Sequence, residues 1–114
     1  METRPWGHFE VLGEGCGWVA KRLVVKPGCR LSYQRHKNRC EDWVVVGGRG
    51  RVRVNGVGLD AVVGDVFRIG REDLHRLENP GDVDLEVLEV QTGAPSEEDI
   101  ERVEDDYGRV KGAE

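Results

Sequence analysis

Four side chains able to hold a metal ion fall at spacings that a small β-barrel would bring together. The first set reads Gly28-x5-Gln34-x-His36-x4-Glu41-x6-Gly48, and the second reads Gly64-x10-His75-x3-Asn79. Side chains alternate faces along a strand, so Gln34 and His36 point the same way, and Glu41 joins them from the next strand once a turn intervenes. His75 arrives 34 residues after Glu41, a distance that suits the opposite wall of a barrel. Two imidazoles, a carboxylate and an amide oxygen make a borderline N/O ligand set. Such a set suits a divalent ion, zinc first, with manganese, iron, cobalt or nickel as the alternatives.

The elements that must position these groups read as strand almost throughout. Short segments run from His8 to Leu12, Trp18 to Val25, Arg30 to His36, Glu41 to Val46, Gly50 to Asn55, Asp60 to Val63, Asp65 to Ile69, His75 to Glu78 and Asp84 to Gln91. Gly, Pro or Asn separates them. Asn55-Gly56 predicts a two-residue hairpin, because both residues tolerate positive φ. Turns this regular favour a sandwich or barrel over βαβ units. Trp18 and Trp43 are expected in the core, and Arg49, Arg51 and Arg53 on a solvated strand face. Ser96-Glu-Glu-Asp99 resembles a capping box and predicts a short C-terminal helix with Ile100 and Val103 on one face. The segment after Tyr107 is expected to fray.

Composition sets the class. At 114 residues with no linker or internal repeat, the chain is expected to form one domain over 1–114. Three cysteines, Cys16, Cys29 and Cys40, form an odd set without C-x-x-C spacing, which fits reduced thiols in a cytoplasm. No apolar run approaches the ~20 residues that span a bilayer, so a soluble cytoplasmic protein without a membrane partner is expected. Net charge of −5 disfavours nucleic acid. Thirteen of the seventeen basic residues are arginines, and arginine suits bidentate recognition of phosphate.

Both spaced sets resemble the two cupin motifs, G-x5-H-x-H-x3,4-E-x6-G and G-x5-P-x-G-x2-H-x3-N. The departures are Gln34 for the first His, and Gly70 and Glu72 for the Pro and Gly of the second motif. A narrower similarity covers nearly the whole chain. Arg4-Pro-Trp-Gly7, Lys26-Pro-Gly28, Leu31-Ser-Tyr-Gln-Arg-His36, Glu41-Asp-Trp-Val-Val-Val46, His75-Arg-Leu-Glu-Asn-Pro-Gly81, Glu89-Val-Gln-Thr-Gly93 and Glu104-Asp-Asp-Tyr-Gly-Arg109 resemble the isomerase domain of type II mannose-6-phosphate isomerases. Family members usually read H-H-H-R-A-E-H-W where this chain has His36-Lys-Asn-Arg-Cys-Glu-Asp-Trp43.

The resemblance implies an all-β double-stranded β-helix, a jelly-roll-like barrel. It also implies metal-dependent interconversion of mannose 6-phosphate and fructose 6-phosphate, with a small sugar phosphate as partner. The alternatives are a non-catalytic metal- and sugar-binding cupin, or a cupin enzyme of another class such as an oxygenase. Gln34 is implied as a ligand by similarity to the L-S-x-Q-x-H strand of type I isomerases. By the same similarity, Ser32 meets the phosphate with Arg30 or Arg39 as its bidentate partner, and Arg102 faces the substrate. Arg102 on a surface helix would otherwise pair with Glu98. Glu89 alternates with Leu85, Val87 and Gln91 on the last strand; it is either an inward base with a raised pKa or a solvated charge. Unpaired sheet edges favour a homodimer.

Overall fold

The computed structural model describes residues 1–109, and all regular structure in them is strand. In chain order the strands are β1 Glu2–Arg4, β2 Gly7–Gly15, β3 Trp18–Val25, β4 Tyr33–Arg35, β5 Arg39–Gly47, β6 Arg49–Val54, β7 Val57–Val62, β8 Val66–Ile69, β9 His75–Glu78, β10 Leu85–Gly93 and β11 Glu101–Glu104. They form two antiparallel sheets, ordered β1-β2-β3-β10-β5-β8 and β11-β4-β9-β6-β7. The inner faces enclose a core that includes Leu23, Val25, Trp43, Val45, Val52, Leu77, Leu85 and Val87. Each Val or Leu so buried contributes about 1.5–3 kcal/mol relative to exposure, so this core carries the fold.

Turn chemistry agrees with the hairpin expectation. Asn55 and Gly56 both have positive φ, at 47° and 83°, and Val54 pairs directly with Val57 across them. At Gly48, φ is 71° and an added Cβ would lie 2.2 Å from the Asp84 carbonyl oxygen; only glycine lets the chain cross there. Glu72 stands where the second motif has glycine and keeps the left-handed backbone, with φ of 64°. Its amide donates to the His36 carbonyl at 2.7 Å, so the turn survives at the cost of local strain.

Two expectations are corrected. The C-terminal segment forms no helix. Ser96 to Asp99 closes a single turn, and the chain then extends as β11 against β4, with Arg102 opposite Gln34. A helix this short with two apolar residues is marginal in water, whereas β4 without β11 would have an unpaired ladder edge. The capping residues act elsewhere: the Asp99 carboxylate accepts from the Lys37 and Asn38 amides at 2.9 and 2.8 Å. Trp18 is 40% exposed rather than in the core, its indole lying over Gly13 and Gly15 of β2. The expected fraying after Tyr107 falls largely on residues 110–114, outside the described residues; Arg109 itself pairs with Asp105 at 2.7 Å.

Candidate metal centre

Strand alternation aims the ligand-type residues inward. On β5 the burial pattern strictly alternates, so Arg39, Glu41, Trp43 and Val45 all face the interior. His75 opens β9 on the buried face, and His36 follows β4 directly. One donor atom from each of His36, Glu41 and His75 lies within 4.8 Å of the other two. His36 Nε2 is 3.2 Å from Glu41 Oε2, and His75 Nε2 is 3.7 Å from Glu41 Oε1.

Backbone carbonyls set the tautomers. His36 Nδ1 lies 2.6 Å from the Asp99 carbonyl and His75 Nδ1 2.7 Å from that of Asp73. A carbonyl only accepts, so both rings carry their proton on Nδ1 and turn an Nε2 lone pair toward Glu41. Burial, then the charge of Arg39, push the His36 imidazole down to about 4. Burial likewise lowers His75. With both rings neutral, the two contacts to Glu41 are acceptor facing acceptor, an arrangement that a shared cation relieves. The Arg39 guanidinium occupies part of that role, donating from Nε to Glu41 Oε2 at 2.8 Å and from Nη2 to His36 Nε2 at 3.0 Å.

Gln34 belongs to the same face. It sits opposite His75 in the β4–β9 register, and directly opposed residues project to one side of a sheet. Its amide N–H donates to Ser32 Oγ at 3.0 Å, which leaves the amide oxygen as the donor available to an ion. Two neutral imidazoles, one carboxylate and one amide oxygen fit a divalent first-row ion by donor chemistry.

Behind the ligands lies a second carboxyl. The Trp43 indole N–H is 3.1 Å from both Glu41 Oε1 and Glu89 Oε2, and Gln91 Nε2 donates to Glu89 Oε1 at 2.6 Å. Of the two readings of Glu89, the inward one is observed, since it is buried on β10. Burial and the neighbouring Glu41 push Glu89 up to about 8, so it holds its proton more tightly than an ordinary carboxyl beside Glu41.

The other expected site residues separate. Ser32 is buried beside Gln34, and Arg39 is held on the ligands and the Ser96 carbonyl. Arg30 is not brought to the centre; it pairs with Asp106 at 2.8 Å and with Glu78 at 3.4 Å. Arg102 lines a mouth cavity of about 80 Å³ that also reaches Arg39, Glu89 and Gln91. Sequence reasoning missed Arg4, Lys21 and Arg109 at this mouth. For Lys21 a signal existed, because it is the first member of the inward row Lys21, Leu23, Val25.

Residues 2–105 match the family model described as Mannose-6-phosphate isomerase C-terminal. The chain is 42% identical over 108 residues to the Alginate biosynthesis protein AlgA of Pseudomonas aeruginosa, covering 94% of this chain and 22% of that protein. It is 44% identical over 108 residues to the Mannose-1-phosphate guanylyltransferase ManC of Salmonella typhimurium, again 94% of this chain and 22% of the relative. The chain thus spans about a fifth of the length of these curated relatives. Among solved structures, the capsular polysaccharide assembling protein CapF from Staphylococcus aureus aligns with a TM-score of 0.80 at 22% identity, covering 91% of this chain and 32% of that one. A cupin-2 domain from Rhodospirillum rubrum aligns with a TM-score of 0.69 at 23% identity, over 80% of this chain and 66% of its own. The fold is therefore the cupin double-stranded β-helix.

The relatives correct the expected activity. Their names carry guanylyl transfer and alginate biosynthesis, not the aldose–ketose isomerisation that the domain resemblance implied. A shared domain fold does not transfer a chemistry. Among the described residues no helix is long and apolar enough to cross a membrane.

Proposed function

Because the chain belongs to the mannose-6-phosphate isomerase C-terminal family, we propose that it is a metal-centred cupin module that binds a phosphorylated sugar, in the service of an enzyme of the mannose-1-phosphate guanylyltransferase kind. The observation that carries this reading is the convergence of His36, Glu41 and His75, with both Nδ1 atoms already engaged by backbone carbonyls. His36, Glu41, His75 and Gln34 would hold one divalent ion, zinc in first place. When bound, such an ion supplies a Lewis acid that coordinates sugar hydroxyls.

The chain's own residues do the rest. Two neutral imidazoles and a single carboxylate leave a divalent ion net positive, the sign that attracts hydroxyl and phosphoryl oxygens. Trp43 and Glu89 hold the Glu41 carboxylate in place from behind. Arg39 must yield its contact with His36 Nε2 when an ion takes that lone pair, while Glu41 and the Ser96 carbonyl keep it at the mouth. The second sheet ends in β7, whose Val57, Leu59 and Val62 are exposed; a second copy paired along this edge would make the module a homodimer.

The test is elemental analysis of the purified chain with calorimetric titration of mannose 1-phosphate and mannose 6-phosphate. One ion per chain, and sugar-phosphate binding that disappears with chelator, is the expected result. A wild-type chain that takes up no divalent ion, or that binds neither sugar phosphate when loaded, sinks the reading.

A further inference from the structure

The two imidazoles at the centre are oriented by unequal means. His75 Nδ1 donates to the carbonyl of Asp73, two residues earlier in the chain. His36 Nδ1 donates instead to the carbonyl of Asp99, on the segment 94–100 that joins β10 to β11. That segment straps the ligand-bearing turn at several points. The Ala94 amide donates to the Asn38 carbonyl at 2.8 Å, the Ser96 carbonyl accepts from Arg39 Nη1 at 3.2 Å, and Glu97 pairs with Lys21. Asp99 adds three contacts of its own, since its carboxylate accepts from the Lys37 and Asn38 amides while its carbonyl accepts from the ring. One residue therefore holds both the imidazole of His36 and the backbone that follows it.

This hold prevents a competing state of the site. An imidazole released from the Asp99 carbonyl is free to carry its proton on Nε2. His36 Nε2 lies 3.2 Å from Glu41 Oε2, so that proton would be donated to the carboxylate, and the two ligand atoms would satisfy each other in place of an ion. With Nδ1–H engaged, Nε2 is an acceptor and is used as one: Arg39 Nη2, which can only donate, lies 3.0 Å away. The lone pair stays directed at the centre, where an ion can take it.

We propose that Asp99 is the positioning residue of the metal centre, its carboxylate tying the strap to the 36–38 turn and its carbonyl keeping the His36 Nε2 lone pair turned toward the ion. The assignment rests on the reading of His36, Glu41, His75 and Gln34 as the ligands of one divalent ion. It has a reciprocal corollary, because two coupled equilibria bias each other by the same factor. Docking of the strap strengthens metal binding, and bound metal holds the strap down. The segment before β11 is on that account a handle on the centre: a partner that lifts it weakens the ion.

The experiment uses the full chain, with zinc affinity measured by competition against a chelator and the imidazole nitrogens observed by NMR in the metal-free state at neutral pH. Asp99→Ala should weaken zinc about tenfold to a hundredfold, the range for losing a group that orients a ligand. It should also move the His36 proton from Nδ1 toward Nε2, while His75, held by Asp73, keeps its proton on Nδ1. Glu98→Ala, which removes an exposed carboxylate from the same strap, should bind zinc as wild type does. An Asp99→Ala chain with wild-type zinc affinity, or with the His36 proton still on Nδ1, overturns the assignment. So does a Glu98→Ala chain that loses as much affinity, since the effect would then be one of charge. If wild type takes up no zinc, the metal reading falls, and the His36 tautomer in Asp99→Ala alone decides whether Asp99 positions the ring. Should Asp99→Ala fail to fold, hydrogen exchange in wild type decides: zinc slows the Asp99 and Ile100 amides, which close the turn of the strap, more than those of the Asn55–Gly56 hairpin, or the assignment is overturned.

Discussion

Along β3, β5 and β10 the inward-facing residues are Val25, Val45 and Leu85 toward one end of the barrel, and Lys21, Glu41 and Gln91 toward the other. Both ends are equally buried, yet they are held by different physics. The apolar end gains from every ångström of surface removed from water. At the polar end each buried group must find a partner or cost several kcal/mol, and the Trp43 and Gln91 contacts to Glu41 and Glu89 show how closely this is met. Alternation along a strand therefore decides which way a residue faces, while position along the strand decides whether it stabilises or does chemistry.

Truncation at the apolar end should give the largest effect. Leu77 is 0% exposed, and Leu77→Ala should lower unfolding free energy by about 2–5 kcal/mol in denaturant titrations, while one ion per folded chain is retained. An equal fall in metal content would show that the two ends are not separable.

At the polar end the dominant effect should depend on metal. His75→Ala should keep the all-β circular dichroism spectrum and abolish the metal-dependent rise in melting temperature, which is worth about 2.7 kcal/mol at a hundredfold excess of metal over Kd. Persistence of that rise in the variant would place the ion elsewhere.

The third expectation concerns pH in the metal-free chain. His36 is lowered from 6.5 to about 4, so the native state binds fewer protons than the unfolded chain in that window. Its contribution is present above pH 6.5 and is lost as pH falls toward 4. Glu89 is raised from 4.5 to about 8, so its contribution is present below pH 4.5 and is lost as pH rises toward 8. Stability should therefore fall on both sides of an intermediate maximum. Glu89→Gln should flatten the alkaline limb alone in melts across the pH range; a limb unchanged in that variant would assign the alkaline loss to another group.

The smallest effect should come from the turn before the second imidazole. Glu72→Gly relieves a left-handed backbone and should stabilise by up to about 1 kcal/mol, the strain being partly offset by glycine's entropy. Destabilisation would mean that the Glu72 side chain holds the turn.

Much of this was legible in the sequence because it is written in local periodicity. β3 and β9 begin and end where alternation and turn residues place them, and the ligand spacings survive because register converts sequence intervals into positions on one face. β11 was not legible, since what extends it is an edge supplied by β4, some 66 residues earlier in the Arg35–Glu101 pairing. Asp99 looked like a member of a local cap, and its partners lie 62 and 61 residues away. Arg4, Lys21 and Arg109 escaped notice for the same reason: they come from β1, β3 and the segment after β11, and only the fold gathers them at one cavity. Lys21 alone broke an apolar row visibly.

The bond from His36 to the Asp99 carbonyl joins positions 63 residues apart, and this has a consequence for how the protein is made. A chain leaving the ribosome in order exposes His36, Glu41 and His75 well before the residue that orients the first of them. Domains fold as units, at synthesis rates of about 5–20 residues per second, so for a matter of seconds the nascent chain carries ligands without their final geometry. Any metal capture that requires the oriented ring would therefore have to wait until Asp99 has emerged and its carbonyl has met His36.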